Sequence, residues 1–316
     1  MGSKWLLELT TLGDSLNPEA ALMRIENMGK DLAKLGLLNL FWRISIAVAF
    51  VGMGIQQWML EGNLRGLELI PRHIPFHSIC AYVVGTLLIV GGVLILIPGK
   101  SQTAALLLTQ VFIFALLVRR LPGVSAVVSD LGERTVFFET LSLGAGCMML
   151  AAILPDGEGA SAKVVSASDA AARVGRWFFA LSMAVFGWTH LLIPDYIATL
   201  VPVWIPFHLI WAYVSAIGFI AAAVALGLNR VVRPATALLG IMFLLWVITL
   251  HMPRVAHTPN NPDEWNSAFV ALAMSGISFA VAGARFGTRA HAHTPLVPVA
   301  MREVRIENAA VQRESI

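Results

Sequence analysis

Residues 71–83 read PRHIPFHSICAYV, and residues 202–214 read PVWIPFHLIWAYV. Pro71, Ile74, Pro75, Phe76, His77, Ala81, Tyr82 and Val83 thus recur as Pro202, Ile205, Pro206, Phe207, His208, Ala212, Tyr213 and Val214, all at a spacing of 131 residues. Chance does not hold one spacing through so many identities, so the chain reads as a tandem duplication. The same spacing relates Phe112 to Phe243, Pro122 to Pro253, Val124 to Val255, Glu133 to Glu264, Phe138 to Phe269 and Leu141 to Leu272. The first helix of each half aligns less closely, through a shift that places Gly52 on Gly187.

Outward from each copy of the motif the chain is apolar. Helices are predicted at 40–60, 76–97, 103–121 and 135–154, then at 177–193, 207–228, 234–252 and 266–286. A bilayer core about 30 Å thick takes roughly 20 apolar residues per helix, and most of these runs approach that length. The third and fifth are short, and either tilt little or extend into the interface through flanking residues such as Arg119 and Trp177. Across the chain 57% of residues are hydrophobic, 13% are charged, and the mean hydropathy is +0.75. A water-soluble domain of this size needs a more mixed surface. The fold class is therefore an all-α membrane protein of about eight transmembrane helices, arranged as two four-helix bundles.

Each half holds an even number of spans, so both copies face the same way, which makes the repeat parallel. The organisation reads as a tail over 1–39, a first repeat over 40–155, a linker over 156–176, a second repeat over 177–286 and a disordered tail over 287–316. Within the first tail, Leu22, Ile25, Met28, Leu32 and Leu35 recur at helical spacing, as in an amphipathic helix lying on a membrane or on a soluble partner. The start lacks the basic and then apolar pattern of a signal peptide, and no cleaved leader is expected.

Eight spans put both termini on one side. Sixteen of the 22 basic residues fall there, and six, Arg65, Arg72, Arg119, Arg120, Arg134 and Arg254, fall on the other. The positive-inside rule makes the richer side cytoplasmic, as in a bacterial inner membrane. The basic residues follow topology and do not interleave with aromatics as on a nucleic-acid face, so nucleic acid is excluded as a partner. Membrane lipid is the expected surround.

Several stretches resemble the DoxX-like membrane family: the P-x-x-I-P-F-H motif before each second helix, F-G-W-T-H at 186–190, and H-M-P-R-V at 251–255 followed by D-E-W at 263–265. That family is a four-helix membrane module, usually found singly, and the resemblance spans most of residues 40–285. It implies the fold first. Through members tied to quinone-linked sulfur oxidation, it also implies quinone as a cofactor and a redox partner protein.

The motif has structural reasons of its own. Pro75 and Pro206 suit a first helical turn, and Phe76, Phe207, Trp204 and Trp211 suit an interfacial aromatic belt. His77 and His208 fall in that first turn. In the second half His190, His208, His251, Arg254 and Glu264 are predicted at similar depth near Trp204. Such a group can bind a transition metal, hold the carbonyl of a quinone or another amphiphilic small molecule, move protons, or serve structure alone. No H-x-x-x-H or H-E-x-x-H puts two ligands on one helical face, so no metal is assigned.

The matched positions of the first half are His77, Arg120, Glu133 and Glu139. Arg120 stands where the second half has His251, and Glu139 where it has Val270. An ion pair of Glu139 with Arg119 or Arg120 would brace the first half and leave the second as the site. Cys80 and Cys147 lie at different depths with no C-x-x-C, which argues against a dithiol relay. No nucleotide-binding or nucleophile-elbow motif occurs. Three classes of function remain: a membrane subunit of a quinone-linked redox system with an outer-leaflet polar pocket, a small-molecule carrier or channel, and a structural or assembly factor without catalytic activity.

Overall fold

A computed structural model describes residues 18–60, 69, 76–97, 99–120, 124–153 and 162–284; for 18–35, 119–120, 124 and 162–169 it describes the backbone alone. The expectations for residues 1–17, for Pro71 to Pro75, for the side chains of Arg119 and Arg120 and for the tail 287–316 lie outside the described residues.

The described residues form helices joined by turns, with no strand among them. In order come α1 Pro18–Met59, α2 His77–Leu96, α3 Ser101–Ala115 with a π-helical turn Leu116–Arg120, α4 Val124–Ser129, α5 Leu131–Ile153 and α6 Ala162–Leu192. Then follow α7 Pro194–Leu200, α8 His208–Gly227, α9 Val232–Trp246 with a π-helical turn Val247–His251, α10 Met252–His257 and α11 Pro262–Gly283. Seven of these stretches are long and apolar enough to cross a membrane, and an eighth span arises if Ala170–Leu192 is joined to α7, which bends away from it by 98°.

Helix ends depart from the sequence reading for identifiable reasons. The fifth predicted helix begins at Ala162 in place of 177, so most of the predicted linker is helical. The first begins at Pro18 and runs unbroken to Met59, so residues 22–35 are continuous with the span. Both extensions are polar turns that an apolar window passes over. The predicted starts at 135 and 266 lie four residues late because α5 and α11 open on acidic turns. The Glu133 N–H donates to Asp130 Oδ1 at 2.8 Å, and the Asp263 N–H to Asn261 Oδ1 at 3.1 Å, each satisfying a donor orphaned at a helix start.

The long helices pack in chain order: α1 on α2, α2 on α3, α3 on α5, α5 on α6, α6 on α8, α8 on α9 and α9 on α11. The last then packs on α1, and α5 also meets α11 across the middle. These two are the most enclosed spans. Small residues permit the approach, since a Cβ at Gly146 would stand 2.7 Å from Ile277, and one at Gly276 3.0 Å from the Trp42 carbonyl oxygen.

Several local devices occur twice. Phe76 and Phe207, immediately before α2 and α8, hold the left-handed conformation with φ of 62° and 61°, strained for a bulky residue. The two π-helical turns are 131 residues apart. Arg43 on α1 donates to the Ile95 carbonyl near the end of α2 at 2.7 Å, and Arg176 on α6 donates to the Leu226 carbonyl near the end of α8. Gly54 on α1 faces the Gly85 carbonyl as Gly187 on α6 faces that of Ala216. By these contacts it is Gly54, not Gly52, that matches Gly187. Gly52 instead lies against the Phe269 ring of α11.

Candidate functional site

A cavity of about 1150 Å³ lies among α5, α6, α7, α8, α9 with its π-helical turn, and α11. Its wall is mainly apolar and aromatic, with a few polar groups. That is the usual composition of a small-molecule site.

His190 is the most firmly placed of those groups. One turn apart on α6, the His190 Nδ1–H donates to the Phe186 carbonyl at 2.8 Å, since a carbonyl oxygen can only accept. The imidazole stacks on Trp246 with centroids 5.9 Å apart and planes 11° from parallel, and meets Phe219 edge-on at 5.2 Å. Phe219 in turn touches Phe186, Phe243 and Trp246 at 5.6 to 5.7 Å. Three helices thus fix one ring in one orientation, with Nε2 uncommitted to this network.

The π-helical turn Val247–His251 explains why His251 shares the wall with Trp246. Five steps of about 100° would leave the two about 140° apart on an α-helix. A π-helical turn, bonded i to i+5, brings the later residue back over the earlier one. His251 Nδ1 is buried without a hydrogen-bond partner. Asn266 on α11 also lines the cavity, is 3% exposed, and has its Oδ1 buried without a partner. Buried polar atoms are nearly always satisfied, so two orphans on one wall are notable.

The predicted residues divide. His190, His251 and Arg254 are on the wall, and Glu139 joins them from α5. Glu264 is not on the wall; its carboxylate accepts from Arg254 at 2.7 Å, which neutralises both. His208 lies half-buried in the first turn of α8, and Trp204 is 69% exposed, both off the cavity wall. His77 and Glu133 are likewise off it. The ion pair predicted to brace the first half rests on arginine side chains outside the described residues, while Glu139 itself borders the cavity of the second.

Among the described residues no three His, Cys, Asp or Glu side chains stand together as a metal site. Both cysteines are free, Cys80 half-buried and Cys147 buried. The sequence reading passed over Trp246, Phe219 and Asn266. The juxtaposition of Trp246 with His251 is hidden by the π-helical turn between them, and Asn266 looks like any polar residue near a helix start. Comparison with protein-family models, with curated proteins and with solved structures finds no match to this chain.

Proposed function

We propose that this polytopic helical membrane protein is a tandem duplication of a DoxX-like four-helix module. In this reading it binds the headgroup of an amphiphile, quinone being the fitting class, as the membrane subunit of a quinone-linked redox system. The observation that supports this most is the stacked His190–Trp246 pair in an aromatic cavity, since flat aromatic faces favour a planar ring. His190, held through Nδ1, offers Nε2 to a headgroup oxygen. Arg254, tied to Glu264, brings no uncompensated charge, which suits a neutral ligand. Phe76, Phe207 and Trp204, 75%, 73% and 69% exposed, belong at the headgroup level of the outer leaflet, with both termini cytoplasmic.

Mass spectrometry of gently purified protein tests the reading. Wild type is expected to retain an amphiphile with a planar headgroup, and His190→Ala and Trp246→Ala to lose it while remaining monodisperse. If wild type retains none and neither added decylquinone nor its hydroquinone binds, the reading fails. A C-terminal green fluorescent protein fusion that stays dark while an alkaline phosphatase fusion is active would reverse the orientation.

A carrier is the second reading, favoured by the break between α6 and α7 at the cavity edge, because discontinuous helices border many transport sites. Uptake into proteoliposomes separates the two.

A further inference from the structure

The cavity is not bounded alike on all sides. Trp211, Val214 and Gly218 on α8 and Leu238, Ile241 and Leu245 on α9 all border it, each set at steps of three and four, so each forms one stripe along its helix. Bordering the cavity does not by itself leave a side chain exposed, since Phe219 and Met274 border it at 1% exposure. Leu238, Ile241 and Leu245 are 67%, 45% and 51% exposed, and Trp211 and Val214 are exposed as well. Apart from Tyr196 on α7, every exposed large apolar side chain of the wall among the described residues lies in these two stripes. Of the described neighbouring pairs around the ring, α8 and α9 also pack least extensively.

Gly218 explains why the seam between them is open. A Cβ there would meet only the Met242 sulfur, at 3.3 Å, so no side chain fills this point. At the 131-residue spacing the first half carries Leu87, which packs against the core. At the end of the spans, by contrast, α7 and the turn after it cover the cavity with Ile197, Leu200, Val201 and Ile205. Both stripes lie within membrane spans, so what they face is hydrocarbon. Each is about 10 Å long at roughly 1.5 Å per residue and carries no charge. We propose that α8 and α9 frame a lateral slot through which an amphiphile enters from the bilayer, its hydrocarbon tail staying between the two stripes while the headgroup is in the cavity. A tail is as apolar as lipid, so passing along an apolar seam costs it no exposure to water. The proposal rests on the amphiphile-binding reading above and adds the route of entry and the place of the tail.

Photolabelling of the full chain in lipid nanodiscs tests it, with a quinone probe that carries a diazirine midway along a decyl tail and a headless decyl alcohol that carries the same group. The quinone probe is expected to label the stretches of α8 and α9 around Val214 and Ile241 about tenfold more than the alcohol does, and unlabelled decylquinone to compete with it. Gly218→Leu should lower this labelling about tenfold, the scale at which overpacking acts. Equal labelling of the seam by the two probes would mark bulk lipid, and competable labelling centred on other helices would mark another route. Either overturns the slot without touching the amphiphile reading, which retention in the purified protein measures by itself. Disulfide-linked dimers of Val214→Cys in place of labelling would assign the seam to a second copy of the chain and overturn the slot too. No competable labelling anywhere, by the quinone probe or its reduced form, overturns both readings. If Gly218→Leu does not purify as a folded protein, the wild-type contrast between quinone and alcohol decides the matter alone.

Discussion

A methyl group added at Gly54 would stand 2.5 Å from the backbone oxygen of Gly85, with the neighbouring helix unable to move aside cheaply. One added at Gly218 would meet only the sulfur of Met242 at 3.3 Å, the end of a flexible side chain. Gly54→Ala is therefore expected to destabilise by about 1–3 kcal/mol, as overpacking does, and Gly218→Ala to change stability little. Thermal unfolding in detergent measures both, and equal melting temperatures would show that α1 and α2 do not approach this closely. Small residues inside apolar runs were readable from the sequence as packing positions. Which glycine answers to which was not, because Gly52 and Gly54 both fit an apolar helix and only the carbonyl opposite each tells them apart. The same holds at the site. His190 and His251 stand out as polar residues in apolar surroundings, whereas Trp246 gains its meaning from the ring stacked on it.

Single side chains hold several helix starts and ends. Asp130 and Asn261 cap α5 and α11 at the 131-residue spacing, and Asp130→Ala or Asn261→Ala is expected to cost about 1 kcal/mol each, with Asp130→Asn nearly neutral. Urea or thermal titration reads the loss, and an unchanged Asn261→Ala protein would remove the cap from the account. At the opposite ends, Arg43, Arg176 and Arg233 donate to carbonyls in the last turns of α2, α8 and α11. Cations there also offset the negative end of the helix dipole. Some basic residues counted toward topology thus have a second reason for their side of the bundle. The long helices were legible because lipid demands long apolar runs, whereas the short α4, α7 and α10 were not. The π-helical turns were not, because an extra residue in one turn leaves composition and hydropathy unchanged while rotating all that follows by about 100°.

Across the whole molecule, positions matched by the 131-residue spacing carry different side chains. Judged by the Gly54 and Gly187 contacts, Gln57 holds the place of His190, and Ala115 stands at the 131-residue spacing from Trp246. The stacked ring pair therefore belongs to the second half alone. The cavity still draws Glu139 and Ser142 from the first, so it is a property of the assembled ring rather than of one module. A fragment carrying residues 162–316 by itself is expected to lose probe binding that returns on coexpression with residues 1–161. Binding by the fragment alone would show that the α5 wall is dispensable.

Because α11 closes on α1, the order in which the helices are threaded is not what holds them together. A circularly permuted gene that begins at Ala162 and joins the old ends by a flexible linker would leave each of these helix pairs intact. In such a protein the break between α5 and α6 and the junction of the two termini exchange roles. Translation would then insert the half that carries the His190–Trp246 pair first, turning the order of membrane insertion into an experimental variable independent of the final structure.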